Sequence, residues 1–591
     1  MFWKLGTFTL PLLAAVVFAA YAQGIRTQNG PPDSIYYNGH VVTVDDHFSY
    51  AQAFAIRDDK FVAVGSSKDV RKLAGSRTKL IDLKGLTVTP GLTDNHLHSA
   101  GGGPGVDLSR SRTLNDVLKA IGDRVKESKP NDVVVTNSDW NEGQLKEQRV
   151  PLRRDLDTVS ASIPVVVIRG GHEFILNSAA LAKWNITTNT PAPEGGRISR
   201  YDDGELNGEL VDRARQLVYL PPPTKRSFED RIRDQIAEYD ELHEAGLTAV
   251  RHPSGSIEDY RLRKEMEKRG VLTMRITQLL SVDPRSEPGK IEEEVKSWDV
   301  NPDEGDAWIR IGGIGEFGVD GGFEGGFMSQ PYKEPFGEGG KFRGLQTVPQ
   351  DTYTANTKVL NRLGWRVFSH AVGDAAIDEV LTGYEAANKE KSIIGRRWGI
   401  EHAFIPTPDE IARMKKLSLF LSLQNHLYVA GPSLVKYWGI ERASLTTPVK
   451  TYMEAGLPVS GGTDSPVVPY PPLWVFYHFI TRDTISGGVL GPNQRISRED
   501  ALRMITRNHY YLNFQEDVNG MIAPGRYADL VVLPEDIMTA PAKDIEKMKI
   551  MMTMVGGKIV YTDKKFTALT GVSARDTHAK MVGLNAARQI D

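Results

Sequence analysis

Three times in the middle of this chain an amphipathic helical stretch ends at a glycine and leads at once into a short apolar run. Residues 228–245 lead through Gly246 into 247–250, 358–363 through Gly364 into 365–370, and 449–455 through Gly456 into 457–461. In the first of these, Ile232, Ile236, Tyr239 and Leu242 recur at helical spacing, which marks a buried face. A glycine just past a helix suits the left-handed cap position that other residues avoid. Further strand-like runs stand at 92–98, 273–280, 309–318, 398–402 and 420–424. Eight strands alternating with helices predict an α/β fold, a (β/α)8 TIM barrel, with a doubly wound open sheet as the competing architecture.

With 591 residues the chain is too long for one core. Short runs at 35–44, 51–56, 61–64 and 79–88, separated by turn residues, predict a small antiparallel β unit. A similar pattern returns at 528–533, 550–555 and 558–561, so both chain ends are expected to build one small composite β domain. The expected boundaries are 33–90 and 511–565 for the two parts of that domain and 91–510 for the barrel. An inserted α/β subdomain is expected at about 105–224, after the first barrel strand, and a polar tail at 566–591.

Residues 1–22 read as a signal peptide: Lys4, an apolar stretch broken by Pro11, and the small-x-small pattern Ala20-Tyr21-Ala22. The expectation is a periplasmic or secreted protein with no stable membrane span after signal cleavage, since no later run reaches the length of a spanning helix. The competing reading is an uncleaved anchor. A net charge of -3 argues against nucleic acid as a partner and leaves a small-molecule substrate. The chain has no cysteine, which excludes disulfides, thiolate ligands and cysteine nucleophiles, so any metal must sit on His, Asp and Glu.

Such residues gather at predicted strand ends. In Asp94-Asn95-His96-Leu97-His98 the two histidines are spaced to share one face of a strand. His370 closes one predicted strand, His402 closes another, and Asp464 follows a third. The C-terminal ends of barrel strands converge on one face, where active sites lie, and imidazole suits zinc and its neighbours. For each of these residues alone, a hydrogen-bonded buried role is the competing reading. His426, after the seventh strand, and Trp140, in the insertion, are candidate substrate contacts. Phe174 is a second candidate pocket aromatic, and Arg169 either holds the insertion together or binds substrate. The glycine-rich run 321–327 has no phosphate-loop spacing and is expected to be a flexible lid.

These stretches, together with Gly171-His172, Asn177-Ser178-Ala179-Ala180-Leu181, Ser369-His370-Ala371-Val372-Gly373-Asp374, Ile400-Glu401-His402-Ala403, Gly462-Thr463-Asp464-Ser465-Pro466 and Ala528-Asp529-Leu530, resemble the amidohydrolase superfamily. The resemblance is to the branch that includes N-substituted formamide deformylases. It implies a barrel with a composite β domain, a metal centre at the barrel mouth, His172 as a stabiliser of the developing oxyanion, and a homodimer. Related enzymes often carry a carboxylated lysine on the fourth strand. Aligning on Asp320-Gly321 puts Glu316 there instead, and that strand has no lysine. A carboxylate has the two oxygens needed to bridge metals. Asp320 is expected to have a structural or substrate role.

The resulting expectation is two divalent ions, zinc first, with manganese, iron and cobalt as alternatives. His96, His98 and Asp464 would hold one and His370 and His402 the other, with Glu316 between them. A water activated between the ions would attack an amide, N-acyl or formamide carbonyl, and Asp464 would move the proton. A single-metal site with Glu316 outside it is the competing reading of the centre. For function the alternatives are a lactone, ester or cyclic-amide hydrolase with the same centre, and a non-catalytic exported metal or ligand binder.

Overall fold

The computed structural model describes residues 30–101, 103–220 and 226–574. The expected signal peptide and the end of the expected tail lie outside the described residues. Eight short parallel strands carry the centre of the fold. They are β1 (Leu92–Asp94), β2 (Leu247–His252), β3 (Arg275–Leu280), β4 (Ile309–Ile314), β5 (Phe368–Ala371), β6 (Gly399–His402), β7 (Phe420–Gln424) and β8 (Val459–Gly462). They pair as two four-stranded sheets, ordered β4-β3-β2-β1 and β5-β6-β7-β8.

Backbone contacts join these sheets along both outer edges. On one side Asn95 donates to the Gly461 carbonyl at 3.0 Å, Asp464 donates to His96 at 2.7 Å, and Leu97 bridges Ser465. On the other Ile314 donates to Arg366 at 2.8 Å and bridges Val367. Asp94 reinforces the first edge by accepting from Thr463 N at 3.1 Å and His96 N at 2.9 Å. Burial raises its carboxyl pKa to about 6.

The expected caps form as the spacing dictates: Gly246, Gly364 and Gly456 have φ of 90°, 91° and 80°. The helix Phe228–Glu244 buries Ile232, Tyr239 and Leu242 against the strand that follows it. Its start is fixed by Ser227, whose side chain accepts from Asp230 N in a capping box.

Outside the parallel strands lie three further sheets among the described residues. One has six strands drawn from both chain ends: Lys558–Thr562, Met552–Val555 and Leu530–Leu533 continue into Thr87–Pro90, His40–Val42 and Tyr50–Ala51. A four-stranded sheet is built from 34–82 alone. The expectation of purely antiparallel pairing is corrected here. Ser34–Tyr37 runs parallel to Lys79–Asp82, and His40–Val42 runs parallel to Thr87–Pro90. The cause is local: the run 35–44 breaks at Asn38, with φ of 55°, and the run 79–88 breaks after Asp82, so each splits between two sheets. The expected tail is also corrected, because 566 falls inside the helix Lys564–Thr570. Asp563 caps that helix and Phe566 is buried in the mixed-sheet core. Within the segment expected as an insertion, five strands from Val134–Val135 to Leu206–Asp212 form one sheet.

Arg275 of β3 clamps the C-terminal strands to the parallel strands. Its guanidinium pairs with both oxygens of buried Asp529, the second at 2.9 Å, and lies between the rings of Trp308 and Tyr527. Asp529 also accepts from Gly556 N at 2.7 Å. Asp529→Ala leaves a buried arginine uncompensated and should destabilise the protein by about 3–5 kcal/mol, read from the urea midpoint. A loss below about 1 kcal/mol would show that the clamp carries no net stability.

Candidate metal centre

His96 and His98 follow β1 rather than lie within it, and their rings meet edge to face at 5.2 Å. His370 lies near the end of β5, His402 ends β6, and Asp464 stands two residues past β8. Glu316 stands two residues past β4, because the expected run 309–318 stops at Ile314. Strand ends on one face therefore bring together residues that lie hundreds of positions apart.

Glu316 is the meeting point. Its Oε1 lies 3.1 Å from His402 Nε2, 3.3 Å from His96 Nε2 and 3.4 Å from His370 Nδ1, and its Oε2 lies 3.5 Å from His98 Nε2. Asp464 Oδ1 lies 3.1 Å from His98 Nε2 and 3.4 Å from His96 Nε2. The ligand atoms of His96, His98 and Asp464 form one compact set, and those of His96, Glu316 and His402 form another. A third set joins His402, His426 and Asp464. His370 belongs to none of these three and reaches the centre through Glu316.

The outer nitrogens of the imidazoles show what the inner ones offer. His96 Nδ1 sits 2.6 Å from Glu401, an oxygen that can only accept, so Nδ1 carries the hydrogen. Its Nε2 is buried and without a hydrogen-bond partner among the described residues. Burial alone would lower the pKa of this ring, but the carboxylates of Glu316, Glu401 and Asp464 around it push it well above the usual histidine range. His402 Nδ1 likewise donates to Gln424 Oε1 at 2.7 Å, leaving its Nε2 lone pair facing a Glu316 oxygen. Burial and the neighbouring His370 hold the His402 pKa down at about 4, so this ring is neutral near pH 7. Lone pairs facing carboxylate oxygens in a buried site repel unless a cation lies between them. All the donors are nitrogen or oxygen, which fits a borderline divalent metal.

Glu401 is itself buried and paired with Arg251. Burial alone would raise its pKa, but Arg251 and His96 hold it at about 2. Neither Glu401 nor Gln424 was singled out from the sequence as an orienting group. The adjacency Glu401-His402 was the available signal. Strand alternation would send the two side chains to opposite faces, and the positive φ of His402, 71°, breaks that alternation.

His172 reaches the cleft from the inserted sheet. Its Nδ1 lies 2.7 Å from Asp212 Oδ1 and its ring lies 5.3 Å from that of His370. Asp212 was also missed, since it stands 40 residues from its partner. His426 is buried and donates from Nε2 to Asp464 Oδ2 at 2.9 Å, while it also lines the cleft. Trp140 lines the same cleft, anchored by its indole N–H on the Ile168 carbonyl at 2.8 Å.

Arg169 both lines the cleft and locks the insertion, with a two-point bond to Glu142 at 2.7 and 2.8 Å and a further one to Glu324. Phe174 does not line this cleft; it packs in the core of the inserted sheet and borders a separate pocket. Asp320 has the structural role expected of it: it accepts from the backbone N–H groups of Phe327, Val372 and Gly373.

Those same bonds correct the reading of 321–327 as a lid. The run is strapped down by Asp320 and by the Tyr332 hydroxyl, which donates to the Phe323 and Gly326 carbonyls. Its glycines serve close packing: a Cβ at Gly321 or Gly325 would fall 1.9 or 2.1 Å from Asp212 Oδ2.

Known proteins resemble this chain over most of its length. The family model described as "Amidohydrolase family" matches residues 79–561. The N-substituted formamide deformylase of Arthrobacter pascens is 27% identical over 90% of this chain and 98% of its own length. The protein LONG AFTER FAR-RED 3 of Arabidopsis thaliana is 28% identical over 90% of this chain and 91% of its own. The fold matches that of an uncharacterized metal-dependent hydrolase from Pyrococcus horikoshii, with a TM-score of 0.63 and 22% identity over 86% of this chain and 99% of the other. With its family match spanning most of its length, this chain is an enzyme that belongs to the amidohydrolase family.

Proposed function

We propose that this enzyme hydrolyses carbon–nitrogen bonds other than peptide bonds, in amide, N-acyl or formamide-type substrates, at a centre of two divalent ions. The observation that carries this reading is the convergence of four histidines on Glu316, with Asp464 alongside two of them. The similarity to a formamide deformylase over nearly the full length of both chains supports the substrate class. The two sheets, joined at both edges, are read as one closed (β/α)8 barrel with a composite β domain. The pattern of residues 1–22 supports export to the periplasm or beyond.

In this reading His96, His98 and Asp464 would hold one ion and His370 and His402 the other, with Glu316 available to both. Zinc is the first choice. When bound, the ions would make a water nucleophilic near neutral pH and polarise the substrate carbonyl. Asp464 accepts the proton of the attacking water and delivers it to the leaving nitrogen. His426 fixes that carboxylate by donating to its Oδ2, so Asp464 keeps one orientation through both transfers. His172, held at its Nδ1 by the Asp212 carboxylate, is the group placed to stabilise the oxygen that gains charge. Trp140 and Phe404 give the cleft an apolar wall for the acyl or amine substituent.

Zinc-loaded protein should turn over N-substituted formamides or N-acetyl amines faster than a matched lactone or ester, measured by amine release and acid release. Turnover of the lactone or ester alone would reassign the reaction. Asp464→Asn should keep at least one ion by elemental analysis and lose about 10²–10⁴ in kcat, the usual scale of lost general acid–base catalysis. A near-normal rate would remove Asp464 from the proton path.

Glu316 needs no carbon dioxide to form its carboxylate. Reconstitution of metal-free protein should therefore reach the same metal content with and without bicarbonate. A bicarbonate-dependent content would contradict the role given to Glu316.

A further inference from the structure

A second pocket also borders His172. It is lined by His172, Phe174, Asp212, Arg213, Arg215 and Arg285, among others. His172 also lines the space that contains Glu316, His370, His402 and Asp464, so the two spaces meet at one imidazole.

The charges around this second pocket do not balance. Arg215 is half-buried, lies 5.3 Å over the Phe174 ring, and donates its Nε to the Asp212 backbone carbonyl at 3.2 Å. Arg213 is also half-buried, and its Nε is a buried donor with no hydrogen-bond partner among the described residues. Arg285 is held by Asp283 through two bonds of 2.9 and 3.1 Å. Of the three guanidinium groups only Arg285 has its own carboxylate, Asp283, while Asp212 bonds His172 through Oδ1 and its buried Oδ2 has no hydrogen-bond partner among the described residues. Among the described residues neither Arg213 nor Arg215 forms an ion pair with a pocket carboxylate. Partly desolvated cations of this kind are costly to leave unpaired, and the planar guanidinium fork matches a carboxylate.

We propose that this pocket receives a carboxylate carried by the substrate, bound by Arg213 and Arg215, while the scissile amide lies past His172 at the metal centre. The preferred substrates are then N-acyl or N-formyl amines bearing an acid group. This inference rests on the hydrolase reading above and narrows its substrate class.

Two compounds that differ only in the carboxylate test it: N-formylphenylalanine and N-formyl-2-phenylethylamine. The zinc-loaded native protein should favour the first by about tenfold or more in kcat/KM, a scale set by a charge-assisted hydrogen bond. In Arg213→Met or Arg215→Met that ratio should fall to within about twofold, mainly through KM, with metal content unchanged. Arg213→Met alone carries the test where an Arg215 variant fails to fold.

A binding measurement stands apart from turnover. Calorimetric titration with 3-phenylpropanoate, which has no amide to cleave, should show affinity about tenfold weaker in the arginine variants than in the native protein. A native preference below about twofold, or a rate ratio and an affinity that stay unchanged in the variants, would overturn the proposal. Arginine-dependent binding of 3-phenylpropanoate without hydrolysis of either formamide would leave the pocket standing and remove formamide hydrolysis.

Discussion

Four imidazole nitrogens lie within 3.5 Å of the Glu316 carboxylate, and that of His402 points a lone pair at it. That arrangement governs the rest of the molecule. Carboxylates and neutral imidazoles do not attract one another through lone pairs, and burial removes the water that would screen them. The protein fixes the ring planes from outside: Glu401 holds His96, Gln424 holds His402, and Arg251 holds Glu401. Such outer hydrogen bonds set the tautomer and the ring plane of a ligand before any ion arrives.

The backbone carries part of this cost. His402 and Asp464 both have positive φ, 71° and 62°, a region that residues other than glycine rarely occupy. Each such residue costs of the order of 1–3 kcal/mol, and it persists only where the surroundings impose it. Here the surroundings are the strand ends: Asp464 N bonds to the His96 carbonyl, and Ala403 N bonds to the Ala371 carbonyl. The seam hydrogen bonds and the unusual dihedrals are therefore parts of one construction. Arg169 locks the inserted sheet in place, and the glycines of the run after β4 pack closely against its His172–Asp212 pair.

Much of this was legible in residue order. The helix–glycine–strand recurrence located the second, fifth and eighth strands, and the ligand-type residues at strand ends were identifiable because chemistry and periodicity coincided there. The identity of Glu316 rested on resemblance and on the absence of a lysine. What periodicity missed depends on departures from periodicity. The break at Asn38 splits one predicted strand between two sheets, and the turn at His402 lets Glu401 join the same centre. Long-range partners such as Asp212 and Arg251 carry no local signature. The glycine run read as a lid because glycine permits both motion and close approach, and only the neighbouring Asp212 side chain decides between them.

Anomalous diffraction from zinc-loaded crystals, recorded on either side of the zinc absorption edge, tests the shared-carboxylate centre most directly. Two peaks should appear among His96, His98, Glu316, His370, His402 and Asp464, with an oxygen of Glu316 within coordination distance of both. A single peak with Glu316 turned away from it, or no peak among these residues, would contradict the account.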